Sequence, residues 1–149
     1  MKYSEASIGR ILVVRLEDGD KMPDSLEKLA LDKNIERGFC IFLGGIQEKG
    51  KIVVGPENGE EMPPKKIIFN LRGVHEVVGI GTLFPDEKGK IHLHAHASLG
   101  REGSTVTGCI REGITTWKIV EIILFELKGN YSLRLLDEET GFLLLDPNA

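Results

Sequence analysis

The segment 91–98 alternates apolar residues with histidines, and this alternation constrains the fold more than any other feature of the chain. It reads Ile-His-Leu-His-Ala-His-Ala-Ser and contains three of the four histidines. Successive side chains of a β-strand point to opposite faces, so the pattern predicts a strand with His92, His94 and His96 on one face. Histidines two residues apart on a strand lie about 7 Å apart at Cα, which lets both rings reach one metal ion.

A glycine-containing turn after this strand brings a cysteine to the same face. Loops of three to five residues with glycine commonly connect hairpin strands, and residues 100–104 read Gly-Arg-Glu-Gly-Ser. A four-residue loop from Arg101 to Ser104 pairs His96 with Cys109. A register shifted by one residue would instead make Cys109 a small buried side chain on the other face. The candidate metal ligands are His94, His96, Cys109 and His92.

Imidazoles combined with one thiolate suit Zn²⁺ best among the divalent metals, with Fe, Ni and Co as alternatives. We therefore expect a divalent metal ion as the cofactor, with zinc as the preferred metal. The chain contains no H-E-x-x-H segment and no P-C-x-x-C segment after the histidines. These absences exclude the common patterns of zinc metalloproteases and zinc deaminases.

Composition limits the classes of protein to consider. The chain has 149 residues, of which 41% are hydrophobic and 28% charged, so we predict one globular domain over residues 1–149. The formal net charge is −4, and no basic block is denser than Lys65-Lys66, which argues against a nucleic-acid binder. Two cysteines without a signal peptide predict free thiols and a cytoplasmic location. The apolar runs fall far short of the roughly 20 residues of a membrane span.

The remaining pattern predicts one helix and many strands. Residues 24–34 have helical periodicity, with Asp24 as the N-cap, Glu27 at capping-box spacing and a buried stripe of Leu26, Leu29 and Ala30. Short strands with frequent turn signals favour an antiparallel sheet and an α+β fold. The predicted strands are 11–16, 38–43, 51–55, 65–71, 74–83, 91–99, 105–110, 115–127, 131–136 and 142–145.

Other patterns have ordinary structural interpretations. The segment Gly79-Ile80-Gly81 and the pair Gly44-Gly45 lack the spacing of nucleotide-binding loops, and we expect turns or bulges there. His75 and Glu76 are expected on a solvated face. Trp117, the sole tryptophan, is expected in the core or at a subunit interface.

The assembled pattern resembles the PPC domain, the plants-and-prokaryotes conserved domain. The similarity rests on residues 73–78 (Gly-Val-His-Glu-Val-Val) followed by Gly81, on the His-x-His strand, on the glycine-rich turn and on residues 107–110 (Thr-Gly-Cys-Ile). It extends to the Gly19-Asp20 turn with its helix and covers roughly residues 8–136.

The resemblance implies a curved antiparallel sheet of about seven strands with one principal helix packed on it, assembled as a homotrimer. The His-x-His pair of prokaryotic members corresponds to His94 and His96, and Cys109 replaces a histidine of the family. The AT-hook of plant members, an Arg-Gly-Arg-Pro core, is absent from this chain. We therefore expect weak or no nucleic-acid binding by the chain alone.

Three functions remain compatible with these residues. The first is a metal-binding homotrimer that acts as a binding or regulatory module. The second is a cupin-like metal-dependent enzyme with an open coordination position, in which Glu102 or Glu112 serves as general base. No histidine follows His96, however, so the later histidine of cupins is missing. The third is a DNA-associated protein, as the plant members of the family imply.

Overall fold

Antiparallel strands make up most of the fold. The computed structural model describes all residues, Met1–Ala149, and its one helix is α1 (Asp24–Asp32). The strands are β1 (Ser7–Glu17), β2 (Lys21–Met22), β3 (Gly38–Ile46), β4 (Lys51–Pro56), β5 (Lys66–Asn70), β6 (His75–Pro85), β7 (Ile91–Arg101), β8 (Ser104–Cys109), β9 (Ile114–Lys128), β10 (Leu133–Leu136) and β11 (Leu143–Asp146).

The strands form one large sheet and one small hairpin. The large sheet has nine strands, in the order β1-β9-β3-β6-β7-β8-β4-β5 with β2 also paired to β9, and β10 and β11 form the hairpin. The α+β fold predicted from the sequence is confirmed, and the ten predicted strands all occur, joined by the short β2. No helix of the chain is long and apolar enough to cross a membrane.

One face of the sheet, the inner face, packs against α1 and forms the core. On β9 the alternate residues Val120, Ile122 and Leu124 are buried, and α1 adds the fully buried Leu26 and Ala30. Full burial of an aliphatic side chain of this size stabilises the fold by about 1.5–3 kcal/mol. The inner face is therefore the main source of stability in the chain.

The start of α1 differs from the predicted capping box. Pro23 is the N-cap residue, and no side chain makes a capping hydrogen bond, so Asp24 is the first helical residue instead of the cap. The fixed φ of proline suits a helix start, which explains the shift. Glu27 does not reach back to the cap either, because its Oε1 accepts a hydrogen bond from the Leu93 N–H at 2.9 Å. This bond ties α1 to β7.

Glycines at two places have different roles. Gly44-Gly45 marks a bulge in the pairing of β3 with β9, as predicted. Gly79 and Gly81 lie inside β6, so the prediction of a turn or bulge was wrong there. A Cβ atom on Gly79 would lie 2.2 Å from Phe42 Cζ, and one on Gly81 would lie 2.8 Å from Ala95 Cβ. Glycine is therefore required by close packing inside the strand.

Three isolated side chains also test the sequence predictions. His75 is buried, with 7% of its surface exposed, and its Nδ1–H donates to the Gly73 carbonyl at 3.0 Å. The expectation of a solvated His75 was wrong because that backbone carbonyl satisfies its polar ring. Glu76 is exposed, as predicted. Trp117 is 40% exposed and is not a core residue of this chain, so a role at a subunit interface stays a prediction.

The opposite face of the sheet, here the outer face, is apolar and exposed at its centre. Directly paired residues share a face. One such row across six strands is Val13, Ile123, Ile41, Ile80, His96 and Cys109. Val13 is 84% exposed, Ile41 46% and Ile80 57%. The candidate metal ligands thus lie at one end of an exposed apolar surface.

Candidate metal centre

Strands β7 and β8 pair in the register that the sequence predicted, with His96 directly opposite Cys109. The connection is tighter than predicted, because Arg101 also pairs with Ser104 and leaves the two-residue turn Glu102–Gly103. Both turn residues have positive φ angles, 52° and 78°, as a tight type I′ hairpin turn requires. One added pair in the ladder keeps the same phase, so Cys109 stays on the histidine face.

Side chains of His94, His96 and Cys109 converge on one point. One donor atom from each residue lies within 4.8 Å of the donor atoms of the other two. The two imidazole rings have centroids 5.1 Å apart and are nearly perpendicular, at 77°. Tetrahedral zinc with bonds of about 2.0–2.3 Å separates its donors by about 3.3–3.8 Å. Small side-chain rotations would therefore bring all three donors to coordination distance, so the donor set fits zinc.

His92 does not join this group. Its Nε2–H donates to Asp86 Oδ2 at 2.9 Å, and this hydrogen bond is the largest of the effects that lower the pKa of Asp86. His92 pairs with Phe84 across the sheet, four residues from His96 and thus about 13 Å away along β7. Strand β8 ends at Cys109 and places no residue opposite His92. Three of the four predicted ligands are brought together.

Positive charge surrounds His94. Partial burial of its ring lowers the pKa of His94 most, followed by the charges of Arg134, His96 and Arg111. A lowered pKa favours the neutral imidazole, the form whose lone pair can bind a metal. Arg134 is itself buried, with 4% of its surface exposed, and burial lowers its pKa as well.

The carboxylates considered as general bases are engaged elsewhere. Glu112 accepts a hydrogen bond from Lys66 Nζ, and Glu102 forms an ion pair with Arg101 at 2.8 Å. Glu102 lies in the hairpin turn with its side chain 78% exposed. Neither carboxylate belongs to the group of converging donors.

Arg134 and Arg111, whose charges lie near His94, were not identified from the sequence. Arg134 interrupts the apolar segment 131–136, and a charged residue inside an apolar strand was the available signal. Arg111 lies two residues after Cys109, but its approach to His94 depends on a loop whose path the sequence does not indicate.

Comparisons with known proteins agree with the fold of the chain. The Plants and Prokaryotes Conserved (PCC) domain, the domain abbreviated PPC above, matches residues 3–128. A plant- and prokaryote-conserved protein of Pyrococcus horikoshii is 25% identical, with a TM-score of 0.84 and coverage of 98% of this chain and 97% of that chain.

Two further solved structures share the fold. One is a metal-containing protein of Archaeoglobus fulgidus, 22% identical, with a TM-score of 0.82 and coverage of 97% and 98% of the two chains. The other, from Bacteroides thetaiotaomicron, is described as a proposed DNA-binding protein and is 16% identical, with a TM-score of 0.76 and coverage of 97% and 99%.

Among curated proteins, the bifunctional protein GlmU of Synechococcus is 26% identical over 137 residues, which are 91% of this chain. The chain spans 20% of that protein. Because the family match covers most of the sequence and the fold agrees throughout, the chain belongs to the Plants and Prokaryotes Conserved domain family.

Proposed function

We propose that this protein is a metal-binding homotrimer in which His94, His96 and Cys109 hold one zinc ion per chain. The observation that carries the proposal is the convergence of three strong zinc donors on one face of a β-hairpin. The description of the Archaeoglobus relative as metal-containing supports it. His92, bonded to Asp86, is assigned no part in binding the metal.

Three protein donors leave a fourth tetrahedral position open. A zinc ion bound with an open position supplies a Lewis acid that accepts an oxygen or nitrogen ligand. An enzyme would also need a proton-transferring group near that position, and Glu102 and Glu112 are occupied by cations. We therefore favour a binding or regulatory module over an enzyme.

The proposed homotrimer rests on the outer face. Leu43 is 55% exposed and Val78 62%, and both continue the apolar surface formed by Val13, Ile41 and Ile80. Contiguous exposed apolar surfaces of this kind typically mark protein interaction sites. We propose a second copy of the chain as the occupant of this surface, and three copies in all because the family resemblance implies a homotrimer.

Metal analysis tests the site. Protein purified without a histidine tag and saturated with zinc should contain about one zinc ion per chain after gel filtration. The variants His94→Ala and Cys109→Ala should lose most of this metal, whereas the control His92→Ala should keep it. Equal zinc content in the wild type and in both ligand variants would refute the site.

Light scattering tests the assembly. The wild type should have three times the 16.5 kDa chain mass, and Ile80→Asp should dissociate it. Leu31→Asp is the matched control, because Leu31 is 66% exposed on α1, away from the outer face. A wild type that stays monomeric at high concentration would contradict the proposal.

DNA binding tests the third function. A chain of net charge −4 without an AT-hook should bind duplex DNA weakly at physiological salt concentration. Fluorescence anisotropy with labelled duplex measures this directly. Sub-micromolar affinity that falls steeply with salt would instead favour a DNA-associated protein.

A further inference from the structure

Arg134 is a buried cation without an acidic partner. No carboxylate lies within ion-pairing distance of its guanidinium group, and its Nε–H has no hydrogen-bond acceptor. The other contacts are neutral: Nη2 donates to Thr82 Oγ1 at 3.0 Å and Nη1 donates to the Leu143 carbonyl at 3.4 Å. An unpaired buried charge is costly, so a counter-charge is expected to meet it.

The guanidinium group lies beside the candidate metal centre. Thr82 is directly opposite His94 across β6 and β7, so the hydrogen bond to Thr82 places Arg134 next to that histidine. The effect of Arg134 on the pKa of His94 has the same geometric origin. The hairpin β10–β11 thus carries Arg134 over the outer face, at the edge of the metal site.

A second unpaired arginine lies on the other side of the site. Arg111 follows β8 two residues after Cys109 and contacts the ring of Phe142, with its guanidinium carbon 5.1 Å from the ring centroid. It forms no ion pair, and the Ile110 N–H donates to the Ala95 carbonyl at 3.1 Å, which continues the strand pairing past Cys109 and places Arg111 beside His94. Phe142 lies at the end of the turn that joins β10 to β11, so one hairpin positions both arginines.

The charges around the site do not balance. A divalent ion bound by one thiolate and two neutral imidazoles has a net charge of +1, and Arg134 and Arg111 add two more positive charges. Asp86 pairs with Arg134 through an isolated backbone β-bridge. The carboxylate of Asp86, however, already accepts hydrogen bonds from His92 and from the N–H groups of Lys88 and Lys90. Neither arginine forms an ion pair with a carboxylate of the chain.

We propose that Arg134 and Arg111, together with the open position on the metal, bind a small oxyanion ligand that carries a carboxylate or phosphate group. This inference rests on the proposed metal site. The guanidinium group presents planar N–H donors that match carboxylate and phosphate oxygens, and Arg134 has an unused Nε–H for this purpose. An oxyanion would neutralise the arginines and complete the coordination of the metal.

Binding of such a ligand would be the signal that the proposed regulatory module detects. Arg134 reaches the site from the β10–β11 hairpin, whereas the metal donors lie on β7 and β8. An oxyanion bridging the metal and Arg134 would therefore hold the hairpin against the sheet. Occupancy by a phosphorylated or carboxylated metabolite would thus be coupled to the surface that the hairpin presents.

Titration with simple anions tests the inference. Cobalt(II) first replaces zinc, and a thiolate-to-cobalt absorption band reports whether the metal is bound by Cys109. Inorganic phosphate and acetate are then titrated separately into the cobalt-loaded protein and into the metal-free protein. The cobalt spectrum and calorimetry measure anion binding to the loaded protein, and calorimetry measures it for the metal-free protein. If the band does not appear, the metal site is refuted. Calorimetry on the metal-free protein then still tests whether the two arginines bind the anion.

Substitutions identify the residues responsible. Arg134→Met and Arg111→Met should each weaken binding of the preferred anion at least tenfold. The affinity for phosphate compared with that for acetate distinguishes phosphate ligands from carboxylate ligands. Arg111 is exposed, so its variant should fold even if Arg134→Met does not. Arg72→Met is the matched control, since Arg72 is exposed, unpaired and precedes the opposite end of β6. Unchanged affinity in Arg111→Met and Arg134→Met, or no anion binding by the wild type, would overturn the inference.

Discussion

The two faces of the sheet differ although the same strands form both. On β7 the residues Leu93, Ala95 and Ala97 are buried on the inner face, while His94 and His96 point outward and are exposed. The inner face is covered by α1, whereas the outer face leaves isoleucines and valines in contact with solvent. Apolar side chains that remain exposed contribute little to folding, so we attribute the outer face to binding.

The two cysteines show the same contrast on a smaller scale. Cys40 lies on the inner face, and burial raises the pKa of its thiol to about 11. Cys109 lies on the outer face beside two histidines. Both are free and buried, yet only Cys109 has nitrogen donors next to its sulfur. Position on the sheet therefore separates a structural cysteine from a candidate ligand.

Truncation of a core residue should have the largest effect. Leu124→Ala removes a fully buried side chain of the inner face and should lower the free energy of unfolding by about 2–5 kcal/mol. Val13→Ala on the outer face should change it by about 0.5 kcal/mol or less in the dissociated chain. Urea unfolding at low protein concentration measures both. Equal losses would show that the outer face stabilises the single chain.

The buried acid at the edge of the inner face gives a smaller, pH-dependent effect. Arg10 donates to both Glu126 oxygens, at 2.7 and 2.8 Å, and this bonding is the main reason that the pKa of Glu126 lies far below its usual range. Glu126→Gln should lower the free energy of unfolding by about 2–3 kcal/mol at neutral pH, because it removes these charged hydrogen bonds. The loss should not be larger, because the cations that Glu126 releases are partly solvated.

The sign follows from the lowered pKa. The contribution of Glu126 is fully present above the unfolded pKa of about 4.3 and is lost as the pH falls toward the folded pKa. Wild type should therefore lose more stability than Glu126→Gln between pH 5 and pH 2, measured by urea unfolding. Glu121→Gln, an exposed position on the same strand, should behave like the wild type. Parallel pH profiles for the wild type and Glu126→Gln would contradict the assignment.

Thiol labelling should give the smallest difference. In metal-free protein the Cys40→Ser variant, which keeps Cys109, should react at least tenfold faster than Cys109→Ser, which keeps Cys40. A thiol with a pKa of about 11 is almost entirely protonated at pH 8 and unreactive. Added zinc should slow only the Cys109 reaction. Equal rates in the two variants would remove the distinction between the faces.

Sequence reasoning identified the elements of this fold where a short-range pattern determines them. Alternation identified β7 and its histidine face, and the phase of the hairpin placed Cys109 opposite His96. The turn itself was predicted two residues too long because Arg101 and Ser104 can belong to either strand or loop. This ambiguity did not change the face of the sheet on which Cys109 lies, since adding one pair to the hairpin preserves the register.

What the sequence could not predict depends on contacts between distant segments. The glycines inside β6 are explained by the approach of Phe42 and Ala95, which lie on neighbouring strands. Burial of His75 depends on the Gly73 carbonyl, and the pairing of His92 depends on how the turn after β6 presents Asp86. Arg134 reaches the candidate metal centre only through the packing of the β10–β11 hairpin. Each of these follows from tertiary structure that no local pattern specifies.

Anomalous diffraction at the zinc absorption edge tests the central claim most directly. Crystals of tag-free protein saturated with zinc should show one strong anomalous peak per chain, at about 2.0–2.3 Å from a nitrogen of His94, a nitrogen of His96 and the sulfur of Cys109. No peak should lie at the His92–Asp86 pair. A peak at that pair without one at Cys109, or no peak at either position, would contradict the account.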